Sequence, residues 1–238
     1  MIWLVRRPDR RSPGVRAAAA AAMAAVCLTA PGGHAAPRLA GRIEGRVSIS
    51  VSVPAPARSA AYASRRVGAA SAAAPEVGNV IVFLKNPPKP ASLPPMRATI
   101  MQQDETFVPR VVAITAGSRV DFPNGDPFFH DVFSLSRSGP FDLGSYPRGK
   151  SKNQRFDHAG LIKVYCHLHS HMTASIMVFD HPYFAVPSAD GAFAIDDVPP
   201  GSFAISAWHE RIGESTQQVT VESGRTADLQ FSLPIGSK

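Results

Sequence analysis

Cysteine is scarce: the 238 residues hold only Cys27 and Cys166. That excludes a disulfide-stapled scaffold and any zinc site built from several thiolates. Long apolar runs are missing as well. The best candidate, Ala17 to Ala30, has 14 residues, where a membrane-spanning helix needs about 20. No Ser/His/Asp arrangement and no phosphate-cradling glycine loop stands out, so those chemistries have no motif to rest on. Proline and glycine number 22 and 18, too few for a low-complexity chain, and the 45% hydrophobic content is ordinary for a globular one.

The basic charge is smaller than it looks. Residues 1–16 carry Arg6, Arg7, Arg10, Arg11 and Arg16 against Asp9, and the Ala-rich run that follows leads to Gly33-His34-Ala35. A positive start, a short apolar stretch and small residues before a cut read as a secretory signal over residues 1–35, cleaved near Ala35. Cleavage removes five Arg, one Asp and Cys27, so the formal net charge falls from +7 to +3. The expectation is a periplasmic or secreted protein with no stable membrane insertion and no nucleic-acid partner. One thiol then remains in an oxidising compartment, as a metal-bound thiolate or a buried inert group.

The rest of the chain predicts an all-β fold, because short apolar runs of strand length alternate with turn residues and no segment holds helical periodicity. Candidate strands are Ile43 to Val53, Asn79 to Leu84, Ala98 to Gln103, Val111 to Ile114, Arg119 to Phe122, Asp131 to Leu135 and Lys152 to Phe156. Leu161 to Cys166, Ala174 to Phe179, Ala192 to Ile195, Phe203 to Trp208, Gln217 to Val221 and Ala227 to Leu233 complete the set. So many strands point to two sandwiches. Pro54 to Pro75 and Asn86 to Pro95 are Pro/Ala/Ser-rich and read as linkers. Charge divides the chain near residue 180: Ala36 to Asp180 is net basic, His181 to Lys238 net acidic.

Chemistry-bearing side chains concentrate in Tyr165-Cys166-His167-Leu168-His169-Ser170-His171-Met172. In the strand before it, Ile162, Val164 and Cys166 share one face by the two-residue period, so the thiol points inward. An imidazole follows three residues after the sulfur and a thioether three residues later, a spacing that one tight turn can aim at a single point. Singly, each has a bland reading: a lone Cys is usually inert and a lone Met usually core.

A further ligand lies upstream in Val120-Asp121-Phe122-Pro123-Asn124-Gly125-Asp126-Pro127-Phe128-Phe129-His130-Asp131-Val132-Phe133. Here the sequence resembles the cupredoxins, the blue copper proteins, over about Arg97 to Asp180, and its Cys166, His169, Met172 spacing is similar to the short ligand loop of amicyanin. Phe107-Val108-Pro109, Ile114-Thr115-Ala116-Gly117-Ser118-Arg119-Val120 and Gly160 belong to the same resemblance. It implies a Greek-key β-sandwich over 97–180 and one copper ion held by His130, Cys166 and His169, with Met172 as weak axial ligand. The chemistry agrees, since a thiolate stabilises Cu(I) and imidazoles accept Cu(II). Asp131 stands where cupredoxins commonly have Asn after the first His, and is expected to accept bonds beside the site while adding charge. His167 and His171 read as exposed residues flanking the ligand loop, or as aids to copper loading.

Relatives with two copper-bridging cysteines are excluded because only Cys166 remains. Multicopper oxidases are excluded because Tyr165 precedes the Cys where they have His.

The flanks carry a second resemblance. Ser188 to Phe193, Asp197 to Phe203, Trp208-His209-Glu210 and Val219-Thr220-Val221 resemble the later strands of a carboxypeptidase-regulatory-like (transthyretin-like) domain, with Gly41 to Val47 and Val80 to Leu84 as its opening strands. The whole order resembles periplasmic proteins labelled methylamine-utilisation-like. The domain expectation is therefore a discontinuous sandwich, 41–90 with 181–238, around the cupredoxin; the linear alternative gives 41–180 to the cupredoxin. The functional expectation is an electron carrier and no enzyme, with His169 passing electrons through an exposed ring edge. A cytochrome or periplasmic dehydrogenase would be the redox partner. Arg148, Lys150, Lys152 and Arg155, on an expected hairpin, would form a basic rim. A copper-delivery or storage module is the alternative.

Overall fold

The computed structural model describes residues 39–50 and 76–233. The expected signal, Cys27, residues 51–53 of the first expected strand and the linker Pro54 to Pro75 lie outside the described residues. Within them the chain is all-β, with seventeen strands and one 3-10 turn, Glu76–Asn79. In chain order these are β1 (Gly41–Ile49), β2 (Val80–Lys85), β3 (Arg97–Thr99), β4 (Met101–Gln103), β5 (Thr106–Val108) and β6 (Val111–Thr115). Then come β7 (Ser118–Pro123), β8 (His130–Ser134), β9 (Phe141–Tyr146), β10 (Ser151–Phe156), β11 (Gly160–Cys166) and β12 (Thr173–Phe179). The last are β13 (Phe184–Ala185), β14 (Ala192–Val198), β15 (Gly201–His209), β16 (Gly213–Val221) and β17 (Thr226–Leu233).

Sheets β10-β7-β3 and β6-β12-β11-β8-β9 form one β-sandwich. Its core is built from the inward faces of these strands, including Val120 and Phe122 of β7, Ile162, Val164 and Cys166 of β11, and Ala174, Ile176 and Val178 of β12. The i, i+2 spacing within each strand is the pleat of a half-buried ribbon. Strands from both ends of the described chain build the other sheets. β1 lies between β14 and β17, and β2 between β13 and β15, with β16 outside β15. Ile43, Val47, Val80, Val82, Leu84, Ile195, Ile205 and Phe231 pack between them. Gly45 of β1 sits so close to β17 that a Cβ there would meet the Leu229 carbonyl oxygen at 1.9 Å, so only glycine permits this parallel pairing.

Near-continuous apolar runs have a structural cause. In β2, Val80, Val82 and Leu84 face one core while Ile81 and Phe83 face another. In β6, Val112 and Ile114 face the first sandwich while Val111 and Ala113 face the same third cluster, joined there by Met177 and Phe179 of β12 and by Trp208. Strands buried on both faces lose the alternation that marks a solvated sheet.

Three short or irregular strands, β5, β9 and β13, escape the sequence pattern. β9 alternates only over Phe141-Asp142-Leu143, is half-exposed, and then carries Gly144 at φ 61. The run Ala98 to Gln103 divides at Ile100, with β3 pairing β7 and β4 pairing β5. The expected basic hairpin is not one: β9 pairs with β8 and β10 with β7, so Arg148 to Lys150 crosses between two sheets. Of its cations, Arg155 pairs with Asp157 at 2.6 Å and Lys152 reaches the Leu143 carbonyl.

Candidate metal centre

His130 opens β8 and Cys166 ends β11, and these strands are neighbours, with Cys166 opposite Val132. The loop after Cys166 turns back at once: the Met172 amide donates to the His169 carbonyl at 3.0 Å. As a result Cys166 Sγ lies 3.7 Å from His130 Nδ1 and 3.7 Å from His169 Nδ1, and the two nitrogens are 3.1 Å apart. A point in that triangle is about 2 Å from all three atoms, the length of metal–nitrogen and metal–sulfur bonds. Two imidazoles and one thiolate on a near-trigonal plane are a donor set for copper in preference to a hard, oxygen-seeking cation. Met172 is 1% exposed and packs in the same core cluster as Cys166.

Burial pushes the Cys166 thiol up, but the His130 ring and the amides of Asp131, Leu168 and His169 outweigh it and hold the thiol below its usual range. Burial also opposes charge on His130. Its hydrogen bond to Asp126, together with Cys166, nonetheless raises it to about 9. His169 goes the other way, kept neutral by burial first and by the charge of His130 second. Phe128 packs its ring 5.3 Å from both the His130 and His169 rings, while Phe129 faces solvent.

Asp126 is the functional residue that the sequence reading passed over. Its Oδ2 is 2.8 Å from His130 Nε2, which leaves Nδ1 as the nitrogen that would face a metal. Burial raises the Asp126 carboxyl, yet bonds from His130 and from the Glu105 and Asp104 amides bring it below the ordinary range. Asn124 supports it from behind, accepting the Asp126 amide at 2.9 Å and donating to the Phe128 and Tyr146 carbonyls. The signal was present as Pro123-Asn124-Gly125-Asp126-Pro127, a turn-forming cluster with a carboxylate four residues before the histidine.

Three expectations change. Asp131 serves through its backbone: its amide bonds the Cys166 sulfur and its carbonyl accepts the His167 amide, while its Oδ1 is buried without a hydrogen-bond partner among the described residues. His169 is only 5% exposed, so its ring edge is nearly enclosed. His167 is exposed and stacked on Phe133, but the His171 side chain is 8% exposed and lies 3.2 Å from Glu105. His167 also forms a group with Asp131 and Asp142 whose ligand-type atoms lie within 4.8 Å of one another.

Comparison with known proteins gives partial likenesses. A copper-containing nitrite reductase from Thermus scotoductus SA-01 aligns at 25% identity and TM-score 0.34, over 40% of this chain and 25% of its own, so this chain spans a quarter of that enzyme. A purple cupredoxin from Nitrosopumilus maritimus aligns at 21% identity and TM-score 0.32, over 34% of this chain and 99% of its own. A point mutant of amicyanin in its reduced state aligns at 17% identity and TM-score 0.32, over 34% of this chain and 80% of its own. The family model of polysaccharide lyase family 4, domain II, matches residues 179–229, a different family from the carboxypeptidase-regulatory-like one that this flank resembles. No curated protein matches the chain.

Proposed function

We propose that the chain is an exported mononuclear type 1 copper protein that carries single electrons between redox proteins and catalyses no reaction of its own. The observation that carries this reading is the buried triangle of His130 Nδ1, Cys166 Sγ and His169 Nδ1. Copper bound there would supply a one-electron couple. The β-scaffold supports it by fixing the three donors through Asp126, the Cys166-directed amides and the His169–Met172 turn, which limits rearrangement between oxidation states. Met172, buried in the same core cluster, would supply the weakest of the four donors. Export fits the basic, Ala-rich start, and no described helix is long and apolar enough to cross a membrane. The partner is a redox protein such as a cytochrome or periplasmic dehydrogenase, docking where Phe129 and Leu168 expose apolar surface near the ligands.

Copper-loaded protein should show an intense thiolate-to-copper absorption band that Cys166→Ser abolishes. Absence of the band in the parent, or its survival in the variant, overturns the reading. The second reading, copper delivery or storage, draws on the exposed His167 and Asp142 beside Asp131. It replaces the first if copper itself moves to an acceptor protein while electrons do not.

A further inference from the structure

The two-residue connection between β4 and β5 is Asp104-Glu105, with φ of 54° and 53°. Both residues sit in the left-handed region, where a two-residue hairpin turn favours Asn-Gly because a Cβ is penalised there. Asp126 compensates. Its Oδ1 accepts the Asp104 amide at 2.7 Å and its Oδ2 the Glu105 amide at 3.0 Å, while Oδ2 also meets His130 Nε2. One carboxylate therefore grips the strained turn and the first imidazole together.

A glycine at 105 would take this backbone without strain but would offer no side chain. Glu105 uses its own: Oε2 lies 3.2 Å from His171 Nε2, with the two side chains 11% and 8% exposed. The other oxygen, Oε1, is buried without a hydrogen-bond partner among the described residues, an arrangement that costs stability and so asks for a purpose. His171 sits inside the turn that carries His169, with the two rings 6.2 Å apart.

We propose that the Asp104–Glu105 turn is a clasp for both imidazole ligands: Asp126 locks the turn to His130, and Glu105 locks the turn to the His169–Met172 loop through His171. Glu105 is then a positioning residue that touches no ligand atom. The two histidines come from loops far apart in sequence, and the clasp holds them in register before metal arrives. The inference rests on the copper reading, and its test separates the two.

The test uses the full chain as parent, Glu105→Gln, Glu105→Ala, His171→Ala and the Glu105→Ala/His171→Ala pair. In metal-free protein, the amides of residues 167–172 should exchange hydrogen faster in each single variant, with those of β11 unchanged. After copper loading, chelator competition should show about 10-fold weaker binding, within the 10–100-fold typical of groups that orient a ligand, with the thiolate-to-copper band shifted in position or intensity. Glu105→Gln, which keeps the shape, should fall between parent and Glu105→Ala. The double variant should be no worse than the worse single one, because both remove one contact. Parent-like exchange and spectrum in Glu105→Ala, or effects that simply add in the double variant, overturn the clasp. A parent that binds no copper defeats the copper reading, and hydrogen exchange in the metal-free protein still decides the clasp.

Discussion

Asp126 Oδ2 stands 2.8 Å from His130 Nε2, with both side chains almost wholly buried. A carboxylate on the far nitrogen makes the imidazole a better electron donor and adds negative charge near the centre, so it favours Cu(II) over Cu(I). Asp126→Asn should weaken Cu(II) binding by about 10–100-fold and raise the reduction potential. Each tenfold loss suffered by Cu(II) alone corresponds to about 59 mV for a one-electron couple. Voltammetry checks the sign, and an unchanged or lower potential contradicts it.

Copper binding should depend on pH through His130. In metal-free protein it is protonated up to about 9, whereas His169 and the Cys166 thiol are both pushed down. Metal must displace the His130 proton, so at least one proton leaves per copper near pH 7, and affinity climbs by at least about tenfold per pH unit until about pH 9. The same raised value stabilises the metal-free fold fully below the ordinary histidine range, and this contribution fades as pH rises through about 9. Calorimetry in buffers of different ionisation enthalpy counts the proton. An affinity that stays constant between about pH 6.5 and 8.5 would contradict the assignment.

Glu210, directly after β15, is the ionic hub against the sheet that carries Cys166. Its carboxylate meets Arg110 Nε at 3.2 Å, Lys163 Nζ at 3.3 Å and Ser175 Oγ at 3.0 Å, and its side chain is 5% exposed. Burial raises its carboxyl, but the Arg110 bond and charge, then Lys163, hold it below the usual range. Glu210→Ala strands Arg110 and Lys163 and should cost about 3 kcal/mol, the low end for breaking a buried pair. Because the carboxyl is held low, its contribution is present above the ordinary carboxylate range and lost as pH falls through the depressed value. Urea unfolding from pH 7 downward tests both statements: the parent–variant gap should be largest at pH 7 and should narrow as pH falls below the ordinary carboxylate range.

The segment 97–180 contains all four expected ligands and both faces of the first sandwich core. Expressed alone it should fold and bind copper, but with Val111, Ala113, Met177 and Phe179 newly exposed. Each large apolar side chain returned to water forfeits roughly 1.5–3 kcal/mol, so the fragment should melt lower than the full chain and bind an apolar dye. A fragment that neither folds nor takes copper counts against treating it as a domain inserted into the flanking strands.

What could be read from sequence is what local spacing determines. The inward face of Ile162, Val164 and Cys166 follows from the two-residue strand period, and the Cys166–His169–Met172 interval is set by one tight turn. His130 came through the resemblance of its surrounding segment, since no spacing rule links it to a thiol 36 residues away. The carboxylate contacts were beyond this reach. Asp126 and Glu105 meet their histidines only because β4–β5, the loop before β8 and the loop after β11 converge at one end of a sandwich, a consequence of which strands pair. Likewise Arg148 to Lys150 looks like a hairpin in sequence, but β9 and β10 join different sheets. Side-chain periodicity is a property of a single strand; the choice of neighbour is decided by the burial of many strands at once, and that choice aims the carboxylates at the histidines.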